Sequence, residues 1–242
     1  MKALVYTAPR RVELQELPEP PVNPNEVLVG IRAVGVCGSD LEGFLGRSKK
    51  RVPPLVLGHE FCGEIVKIGK DICGFRVGDA VAVYPLVTCG QCEYCKSQRH
   101  QICPARKVYG LDRHGALAEY VSAPEGCLFR IPPGMTFQEG ALVEPLANAL
   151  HVLERCPALE GKTGLVYGGG PIGLLVFWAA KHFGLRRVAV VDLNPRRLAI
   201  FEKLGFVNMA ILPQHVKDVK GESHDLVIMV YDLRATEHYA AD

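Results

Sequence analysis

The sequence predicts a protein of two domains, the first built from β structure and the second from alternating strands and helices. Residues 1–36 alternate apolar and polar side chains and are broken by prolines, a pattern typical of short strands. From Lys162 the order changes to strand, glycine-rich turn, helix and strand, which indicates a parallel βαβ unit. We place the boundary after residue 145, which gives domains 1–145 and 146–242.

The composition excludes several kinds of partner. With 48% hydrophobic and 22% charged residues in a chain of 242, it is typical of a soluble globular protein. A net charge of +2 is too small to attract nucleic acid or an anionic membrane, so we expect neither. No apolar run is long enough for a signal peptide or a membrane span. Nine cysteines without a secretion signal favour thiols or metal ligands over disulfides and predict a cytoplasmic protein.

The first domain is predicted to consist mainly of short strands. A short helix is expected within residues 38–46. Residues 47–51, Arg-Ser-Lys-Lys-Arg, form a basic segment that we interpret as a solvated loop, because short charge runs usually face water. Contact with a phosphorylated or acidic substrate is the alternative. The predicted strands are Lys2–Tyr6, Arg11–Leu17, Glu26–Val34, Phe61–Ile68, Ala80–Tyr84 and two more within residues 115–131.

Residues 37–60 hold a first set of candidate metal ligands. The segment opens with Cys37-Gly38-Ser39-Asp40 and closes with Gly58-His59-Glu60. A thiolate, an imidazole and a carboxylate are side chains that bind catalytic zinc, which takes three protein ligands and keeps one position open. Cys37 and His59 are 22 residues apart, so the fold must bring them together. Glu60 and the distant Glu144 are both candidates for the third ligand, and a metal-free buried cysteine and histidine are the alternative.

The spacing of four further cysteines predicts a second metal site. Cys89, Cys92 and Cys95 follow a C-x-x-C-x-x-C pattern, and Cys103 comes after seven intervening residues. Four thiolates this close fit a closed tetrahedral zinc site that holds together a lobe with little core of its own. An iron–sulfur cluster is the alternative, but the ferredoxin pattern places only about three residues before its last cysteine.

A glycine-rich turn marks the second domain. Strand Leu165–Tyr167 leads to Gly168, Gly170 and Gly173 at the G-x-G-x-x-G positions, and helix Leu174–Phe183 and strand Arg187–Val191 follow. This order is typical of dinucleotide binding: the first glycine makes the turn, the second admits the pyrophosphate, and the third lets helix and strand pack. The pyrophosphate then rests on the helix N-terminus.

The residue after the second of these strands is Asp192, and it bears on the choice of dinucleotide. Its carboxylate is expected to accept hydrogen bonds from the adenosine ribose and to repel a 2′-phosphate, so NAD is favoured over NADP. Arg196 and Arg197 weaken that preference, because arginine can accommodate the phosphate.

The remaining elements are predicted to continue a doubly wound sheet. Strands are expected at Met209–Leu212 and Asp225–Val230. The dinucleotide fold orders its strands 3-2-1-4-5-6. Only the first four are present, so Asp225–Val230, as strand 4, should form an exposed apolar edge. Helices are predicted at Thr136–Val143, Pro145–Cys156, Asn194–Leu204 and Leu233–Ala241.

Taken in order, these motifs resemble one family over nearly the whole chain: the zinc-containing medium-chain alcohol, polyol and threonine dehydrogenases. The match includes both cysteine sets, Gly58-His59-Glu60, Gly78-Asp79, Glu144-Pro145-Leu146 and the glycine turn with Asp192. Glu144-Pro145 is similar to the sorbitol and threonine dehydrogenase branch. The resemblance implies a GroES-like β-barrel catalytic domain followed by an incomplete Rossmann domain.

The resemblance also implies roles for single residues. Cys37, His59 and either Glu60 or Glu144 would hold the catalytic zinc, and the four clustered cysteines would hold a structural zinc. Ser39 matches the hydroxyl of the family's proton relay, and Asp40 matches a residue that orients the zinc-bound histidine. Glu42 stands where many relatives have the relay's histidine, which puts that step in doubt. Ile172 and Arg197 match positions that contact NAD.

The implied activity is hydride transfer between NAD and a secondary alcohol or polyol, with or without a phosphate group, after an alkoxide forms on the catalytic zinc. Homo-oligomers are expected from the resemblance. Because two strands and the return to the catalytic domain would follow in relatives, we expect a C-terminally truncated form that catalyses poorly. The alternative is an NAD- and zinc-binding sensor or interaction module.

Overall fold

The computed structural model describes residues 1–217 and 221–232, which fall into two compact units. The first unit is Met1–Glu144, and the second begins at Pro145. Each unit has its own apolar core, as expected when one chain contains two domains. Within the described residues, no helix is long and apolar enough to cross a membrane.

Short strands dominate the first unit, as predicted. The strands are β1 (Lys2–Ala8), β2 (Arg11–Glu16), β3 (Glu26–Gly35), β4 (Leu55–Val56), β5 (Glu60–Ile68), β6 (Ala80–Val83), β7 (Leu86–Val87), β8 (Lys107–Val108), β9 (Tyr120–Pro124) and β10 (Leu128–Arg130). They form a three-stranded sheet ordered β2-β1-β4, a five-stranded sheet ordered β10-β6-β5-β3-β9, and a two-stranded antiparallel sheet of β7 and β8. The helices are α1 (Gly38–Phe44), α2 (Glu93–Lys96) and α3 (Phe137–Ala141).

The core of the first unit forms around the five-stranded sheet. Val27 and Val29 belong to this core and are fully buried, and Leu28 between them is also buried, so both faces of this part of β3 are covered. The rings of Phe61 and Tyr109 meet edge to face with centroids 5.3 Å apart. The buried Tyr109 hydroxyl donates to the Ser122 carbonyl at 2.6 Å, so burial of this tyrosine leaves its hydroxyl paired.

The second unit packs helices against a four-stranded sheet. Strands β11 (Thr163–Tyr167) and β12 (Arg187–Asp192) are parallel, with Thr163 opposite Arg187, as a βαβ unit requires. The core gathers Phe177, Phe201 and Phe206 around the buried Met229. The other elements are α4 (Val143–Glu154), α5 (Pro171–His182), α6 (Pro195–Lys203), β13 (Val207–Lys217) and β14 (Ser223–Asp232).

The order of this sheet corrects the sequence-based prediction. The strands run β11-β12-β14-β13, so the last strand lies beside β12 instead of beside β11. It is antiparallel to both neighbours, with Asp192 opposite Val227 and Leu212 opposite Leu226. The segment Asp225–Val230 is therefore not an exposed edge, and the edges of the sheet are β11 and β13.

The length of the connection explains the difference. A parallel crossover needs about a dozen residues or more, usually a helix, whereas antiparallel neighbours can be joined by a short turn. Strands β13 and β14 are longer than predicted and leave only residues 218–222 between them. A connection this short favours antiparallel pairing, and β13 and β14 do pair in this way, with β14 next to β12.

Helix starts follow local signals that were partly recognised. Thr136 caps α3 with a reciprocal capping box: its hydroxyl accepts from the Glu139 amide, and the Glu139 carboxylate accepts from the Thr136 amide. Asn194 caps α6 in the same region where the helix was predicted. Helix α5 begins at Pro171, one turn earlier than predicted, because proline suits a first helical position. The helix predicted at Leu233–Ala241 lies outside the described residues.

Candidate metal centres and dinucleotide turn

Strand pairing brings together two ligand candidates that are far apart in sequence. Strand β3 ends at Gly35, two residues before Cys37, and β5 begins at Glu60, directly after His59. These strands are antiparallel, with Gly35 opposite Glu60, so both ends meet at one place. One donor atom from each of Cys37, His59 and Glu60 lies within 4.8 Å of the others. The fold therefore brings Cys37 and His59 together, as the sequence analysis expected.

The absence of a side chain at Gly35 gives the Glu60 carboxylate its room. A Cβ on Gly35 would lie 2.5 Å from Glu60 Oε2, which is closer than any carbon–oxygen contact allows. Glu60 is only 8% exposed. A carboxylate this buried needs a cation or several hydrogen-bond donors, and a metal ion bound beside the thiol and the imidazole would meet that need.

Asp40 lies directly behind His59. The side chains of His59 and Asp40 are 12% and 3% exposed, and Nδ1 of His59 is 3.3 Å from Oδ1 of Asp40. Nδ1 is a buried atom that makes no strict hydrogen bond, and the Asp40 carboxylate is the group that it faces. With Nδ1 facing Asp40, Nε2 is the nitrogen left for a metal.

The charges around His59 and Asp40 shift the pKa of each side chain towards its charged form. Burial alone would lower the pKa of His59, but the Asp40 carboxylate outweighs it, and the charges of Glu144 and Glu60 add to a net rise. The pKa of Asp40 is held below its usual range in spite of burial, chiefly by His59. Glu144 acts on His59 electrostatically but is not a member of the close donor set formed with Cys37 and Glu60. Glu60 is thus the candidate glutamate whose donor atom lies with those of Cys37 and His59.

Helix α1 carries the remaining predicted residues of this site. Its first turn is tied down by Asp40, whose carboxylate accepts from the Cys37 amide at 3.1 Å. Ser39 accepts a hydrogen bond from Arg51, an arginine of the basic segment 47–51. Glu42 points to solvent and pairs with Arg47 at 3.2 Å, with both side chains at least half exposed.

Arg51 is an exception to the solvated loop predicted at residues 47–51, of which Arg47, Lys49 and Lys50 are exposed as expected. The Arg51 side chain is 9% exposed and contacts Asp40. Composition does not separate Arg51 from its exposed neighbours Lys49 and Lys50, because all three carry the same charge. A weak signal was available: Arg51 directly precedes Val52-Pro53-Pro54, a rigid stretch that leads to the buried β4.

The four clustered cysteines have the geometry of a tetrahedral thiolate site. Their sulfur atoms lie 3.5 Å apart for Cys92–Cys95, 3.6 Å for Cys103–Cys89 and 3.9 Å for Cys89–Cys95. Disulfide sulfurs would be about 2.05 Å apart. Zinc–sulfur bonds of about 2.3 Å in a tetrahedron put sulfurs about 3.8 Å apart. The spacing therefore fits zinc and excludes disulfides, and all four cysteines are free thiols in the structure.

The local backbone prepares one of these sulfurs for metal. Hydrogen bonds from the backbone amides of Gln91 and Cys92 lower the pKa of the Cys89 thiol to about 6. The thiolate is the form that binds metal, so the loop favours the ligating state before any ion arrives. Helix α2 and the short 3₁₀ turn His100–Ile102 then bring Cys95 and Cys103 to the same point.

The glycine turn of the second unit has the predicted construction. Gly168 adopts a φ of 110°, a left-handed conformation that favours glycine. A Cβ on Gly173 would overlap the Gly168 carbonyl oxygen, so close helix–strand packing depends on this glycine. Nothing lies within 4 Å of a Cβ placed on Gly170, which leaves open space at the N-terminus of α5. Ile172 follows in the first turn and is 45% exposed.

Asp192 makes several hydrogen bonds within the protein that the sequence analysis did not predict. Its Oδ2 accepts from the Gly169 amide at 2.7 Å and lies 3.3 Å from Arg197, while Oδ1 accepts from the Asn194 amide at 2.7 Å. Despite desolvation by burial, these hydrogen bonds and Arg197 hold the pKa of Asp192 below its usual range. Asp192 therefore ties the glycine turn to the start of α6 as an anion.

An open cavity of about 500 Å³ lies beside this carboxylate. Its walls include Asp192 and Arg197, which the sequence analysis named, and also Tyr167 and His224. Sequence reasoning missed His224, because it reaches the cavity only through the antiparallel placement of β14 next to β12. The short connection before Ser223 is the signal that could have led to His224.

Comparison with known proteins shows which family this chain resembles. The family model for the alcohol dehydrogenase GroES-like domain matches residues 23–133. The chain is 40% identical over 209 residues to a sorbitol dehydrogenase of Bacillus subtilis, covering 85% of this chain and 59% of that protein. It is 36% identical over 227 residues to an L-threonine 3-dehydrogenase of Alteromonas mediterranea, covering 92% of this chain and 66% of that protein.

A solved structure agrees in fold as well as in sequence. The crystal structure of galactitol-1-phosphate dehydrogenase from Escherichia coli superposes with a TM-score of 0.80 at 32% identity, covering 85% of this chain and 59% of that one. The chain thus spans about three fifths of the length of the proteins it matches. The predicted fold class, a GroES-like domain followed by part of a Rossmann-like domain, is confirmed. The chain belongs to the zinc-containing medium-chain alcohol and polyol dehydrogenase family.

Proposed function

We propose that this chain is the catalytic and dinucleotide-binding part of a zinc-dependent oxidoreductase that transfers hydride between NAD and a secondary alcohol or polyol. The observation that carries the proposal is the meeting of Cys37, His59 and Glu60, whose donor atoms lie within 4.8 Å of one another. Thiolate, imidazole and carboxylate are three ligands for a catalytic zinc with an open fourth position. Zinc bound there supplies a Lewis acid that lowers the pKa of a coordinated hydroxyl.

The chain's own groups would orient the site and move the proton. Asp40 holds His59 from behind, which fixes the ring and leaves Nε2 for the metal. Ser39 precedes Asp40 on the same helix turn and offers a hydroxyl that can accept a proton and pass it on. Glu42 is turned to solvent beside Arg47, so the outward end of a proton path would be water and not this carboxylate.

The four-cysteine cluster would hold a second, structural zinc. All of its ligands come from residues 89–103, a segment whose regular structure is limited to short helical turns. A loop of this kind lacks a core of its own, so a metal supplies the free energy that orders it. This zinc would have no open position and no part in the chemistry.

The glycine turn and Asp192 support NAD as the dinucleotide. The space in front of Gly170 admits a pyrophosphate at the N-terminus of α5, where backbone amides and the helix dipole favour an anion. Asp192 lines the adjoining cavity as a carboxylate and disfavours a 2′-phosphate. Arg197 lines the same cavity and is half exposed, so we propose that discrimination against NADP is moderate. Within the family a sorbitol and a galactitol-phosphate dehydrogenase match well, which supports a polyol substrate, with or without phosphate.

Turnover and zinc content test this proposal together. The protein is loaded with zinc, and NADH absorbance is followed with a panel of secondary alcohols, polyols and polyol phosphates. We expect turnover of at least one of them, lost on chelation and restored by zinc. Two bound zinc ions and tight NAD binding without any turnover would instead support a binding module.

The binding module is a second candidate that one observation favours. Strand β14 occupies the place beside β12 in antiparallel orientation, so the sheet departs from the doubly wound order that positions a nicotinamide in relatives. A displacement of about 1 Å can cost on the order of a hundredfold in rate. Adenosine binding at the glycine turn depends only on β11, α5 and β12, which keep the expected arrangement.

A further inference from the structure

The basic segment 47–51 ends in an arginine that is not in solvent. The Arg51 side chain is 9% exposed, and the Asp40 side chain against which it lies is 3% exposed. Its neighbours Lys49 and Lys50 are exposed. A buried guanidinium is costly unless its donors are used, so its contacts show what it does.

One nitrogen of Arg51 joins the two functional residues of α1. Its terminal NH2 group donates to Ser39 Oγ at 3.1 Å and to Asp40 Oδ1 at 3.4 Å. The same Oδ1 atom is the one that lies 3.3 Å from Nδ1 of His59. Arg51 and His59 thus share a single carboxylate oxygen.

The other side of the guanidinium reaches the backbone that supports His59. Arg51 Nε donates to the Gly110 carbonyl at 3.0 Å. Gly110 packs so closely on the residue before His59 that an added Cβ would lie 2.9 Å from the Gly58 amide nitrogen. The aliphatic stem of Arg51 fills the space that a side chain on Gly43 would take. The arginine therefore connects α1, its own loop and the segment behind His59.

We propose that Arg51 is a positioning residue for the metal-binding histidine and for the Ser39 hydroxyl. The inference rests on the proposed function, since it takes Cys37, His59 and Glu60 as the ligands. A guanidinium presents rigid donors and stays charged, so it fixes where Asp40 Oδ1 sits, and that oxygen fixes the His59 ring. Because arginine accepts no hydrogen bond, Ser39 must direct its own proton elsewhere. Arg51 itself cannot relay a proton, because it does not lose one.

Metal binding tests the proposal without requiring turnover. Full-length Arg51→Gln, Arg51→Lys and the matched loop control Lys50→Gln are compared by chelator competition for zinc and by the absorption spectrum of the cobalt(II)-substituted protein. We expect Arg51→Gln to weaken the metal at Cys37, His59 and Glu60 by about 10- to 100-fold and to alter its cobalt bands. The four-cysteine metal should be retained, and Lys50→Gln should match wild type.

Arg51→Lys separates positioning from a merely structural charge. Lysine keeps the buried positive charge but cannot hold Asp40, Ser39 and Gly110 together, so its metal affinity should lie between those of wild type and Arg51→Gln. If Arg51→Gln does not fold, Arg51→Lys alone decides the question. Wild-type affinity and cobalt bands in the folded variants would overturn the proposal. A wild-type protein that binds metal only at the four cysteines would instead overturn the proposed function.

Discussion

At the scale of single residues, the two metal clusters differ in the donors they offer and in how they are built. One is four thiols within a short loop, and the other joins a thiol, an imidazole and a carboxylate across two strands. Zinc held by the four thiols would have a closed shell, whereas zinc held by the three mixed donors would keep one position open. Loss of a donor from each should therefore have different consequences.

Exchange of single cysteines should separate the two sites. Cys92→Ser is expected to lower the zinc content from two ions to one and to destabilise the fold, because the 89–103 loop loses its organising metal. Cys37→Ser should also leave one zinc, but with little loss of stability and complete loss of any turnover. Elemental analysis and thermal melting measure both effects. Cys73→Ser, an exposed cysteine outside both clusters, serves as control and should keep both ions.

Proton competition should make metal binding at Cys37, His59 and Glu60 depend on pH. The pKa of His59 is raised, with the favourable field of Asp40 overcoming burial, so the metal-free imidazole keeps its proton to higher pH than an ordinary histidine. A metal must displace that proton as well as the proton of the Cys37 thiol, so the apparent zinc affinity should rise with pH more steeply below the raised pKa of His59 than above it. Chelator competition across mildly acidic to mildly alkaline buffers measures the curve.

Asp40→Asn gives a matched test of this pH dependence. Without the carboxylate charge, the proton on His59 is held less tightly, so the pH at which the slope of the affinity curve changes should be lower, even though the affinity itself falls. A slope change that stays at the same pH would show that Asp40 does not set the protonation of His59.

The charge of Asp192 should govern the choice between dinucleotides. In Asp192→Asn the side chain keeps its size and one acceptor oxygen but loses the charge that opposes a 2′-phosphate. We expect the NADPH-to-NADH affinity ratio to rise on the order of tenfold, or about 1.4 kcal/mol. Fluorescence titration measures the ratio, with Glu202→Gln on the neighbouring helix α6 as control. An unchanged ratio would place the ribose away from Asp192.

At the scale of elements, the glycine turn separates packing from ligand binding. Gly173→Ala should destabilise the second unit by about 1–3 kcal/mol, because the new methyl overlaps the Gly168 carbonyl. Gly170→Ala meets open space at an ordinary φ of −76°, so its stability should change by less than about 0.5 kcal/mol while dinucleotide binding weakens. Denaturant melts and NADH titration measure the two effects. Equal destabilisation of both variants would contradict this division of roles.

Local signals predicted most elements, and pairing was where prediction failed. The caps at Thr136 and Asn194 and the apolar strand β12 depend on nearby residues, and all can be recognised in sequence. The direction of β14 depends instead on how much chain remains after β13, and the predicted strands were too short to reveal it. Apolar composition is the same for a parallel and an antiparallel strand, so it could not correct the error.

The candidate sites follow the same rule. The four cysteines are close in sequence, so their spacing alone predicted a cluster that the structure brings together. Cys37 and His59 meet only through the pairing of β3 with β5, and the sequence could name them without showing the contact. Arg51 and His224 were missed, because each contributes through a tertiary contact that no spacing encodes.

At the scale of the whole molecule, all the candidate metal ligands lie in the first unit and the dinucleotide turn lies in the second. Structural zinc contributes about 10–16 kcal/mol of apparent binding free energy in small zinc-finger peptides. The stability of an entire domain is about 5–15 kcal/mol. Zinc should therefore supply a large share of the stability of the first unit and affect the second unit only indirectly.

The single tryptophan makes this difference measurable. Trp178 lies half exposed on α5 in the second unit, with its ring 5.5 Å from Phe177 and the Lys181 ammonium 4.8 Å from its centroid, so its fluorescence reports whether α5 stays folded in that unit. Hydrogen exchange in β5 reports the first unit. A strong chelator should greatly speed exchange in β5 and lower its unfolding midpoint, while the Trp178 transition moves much less. Added zinc should reverse the change. Equal shifts of both probes would show that the two units unfold as one and that zinc stabilises the chain as a whole.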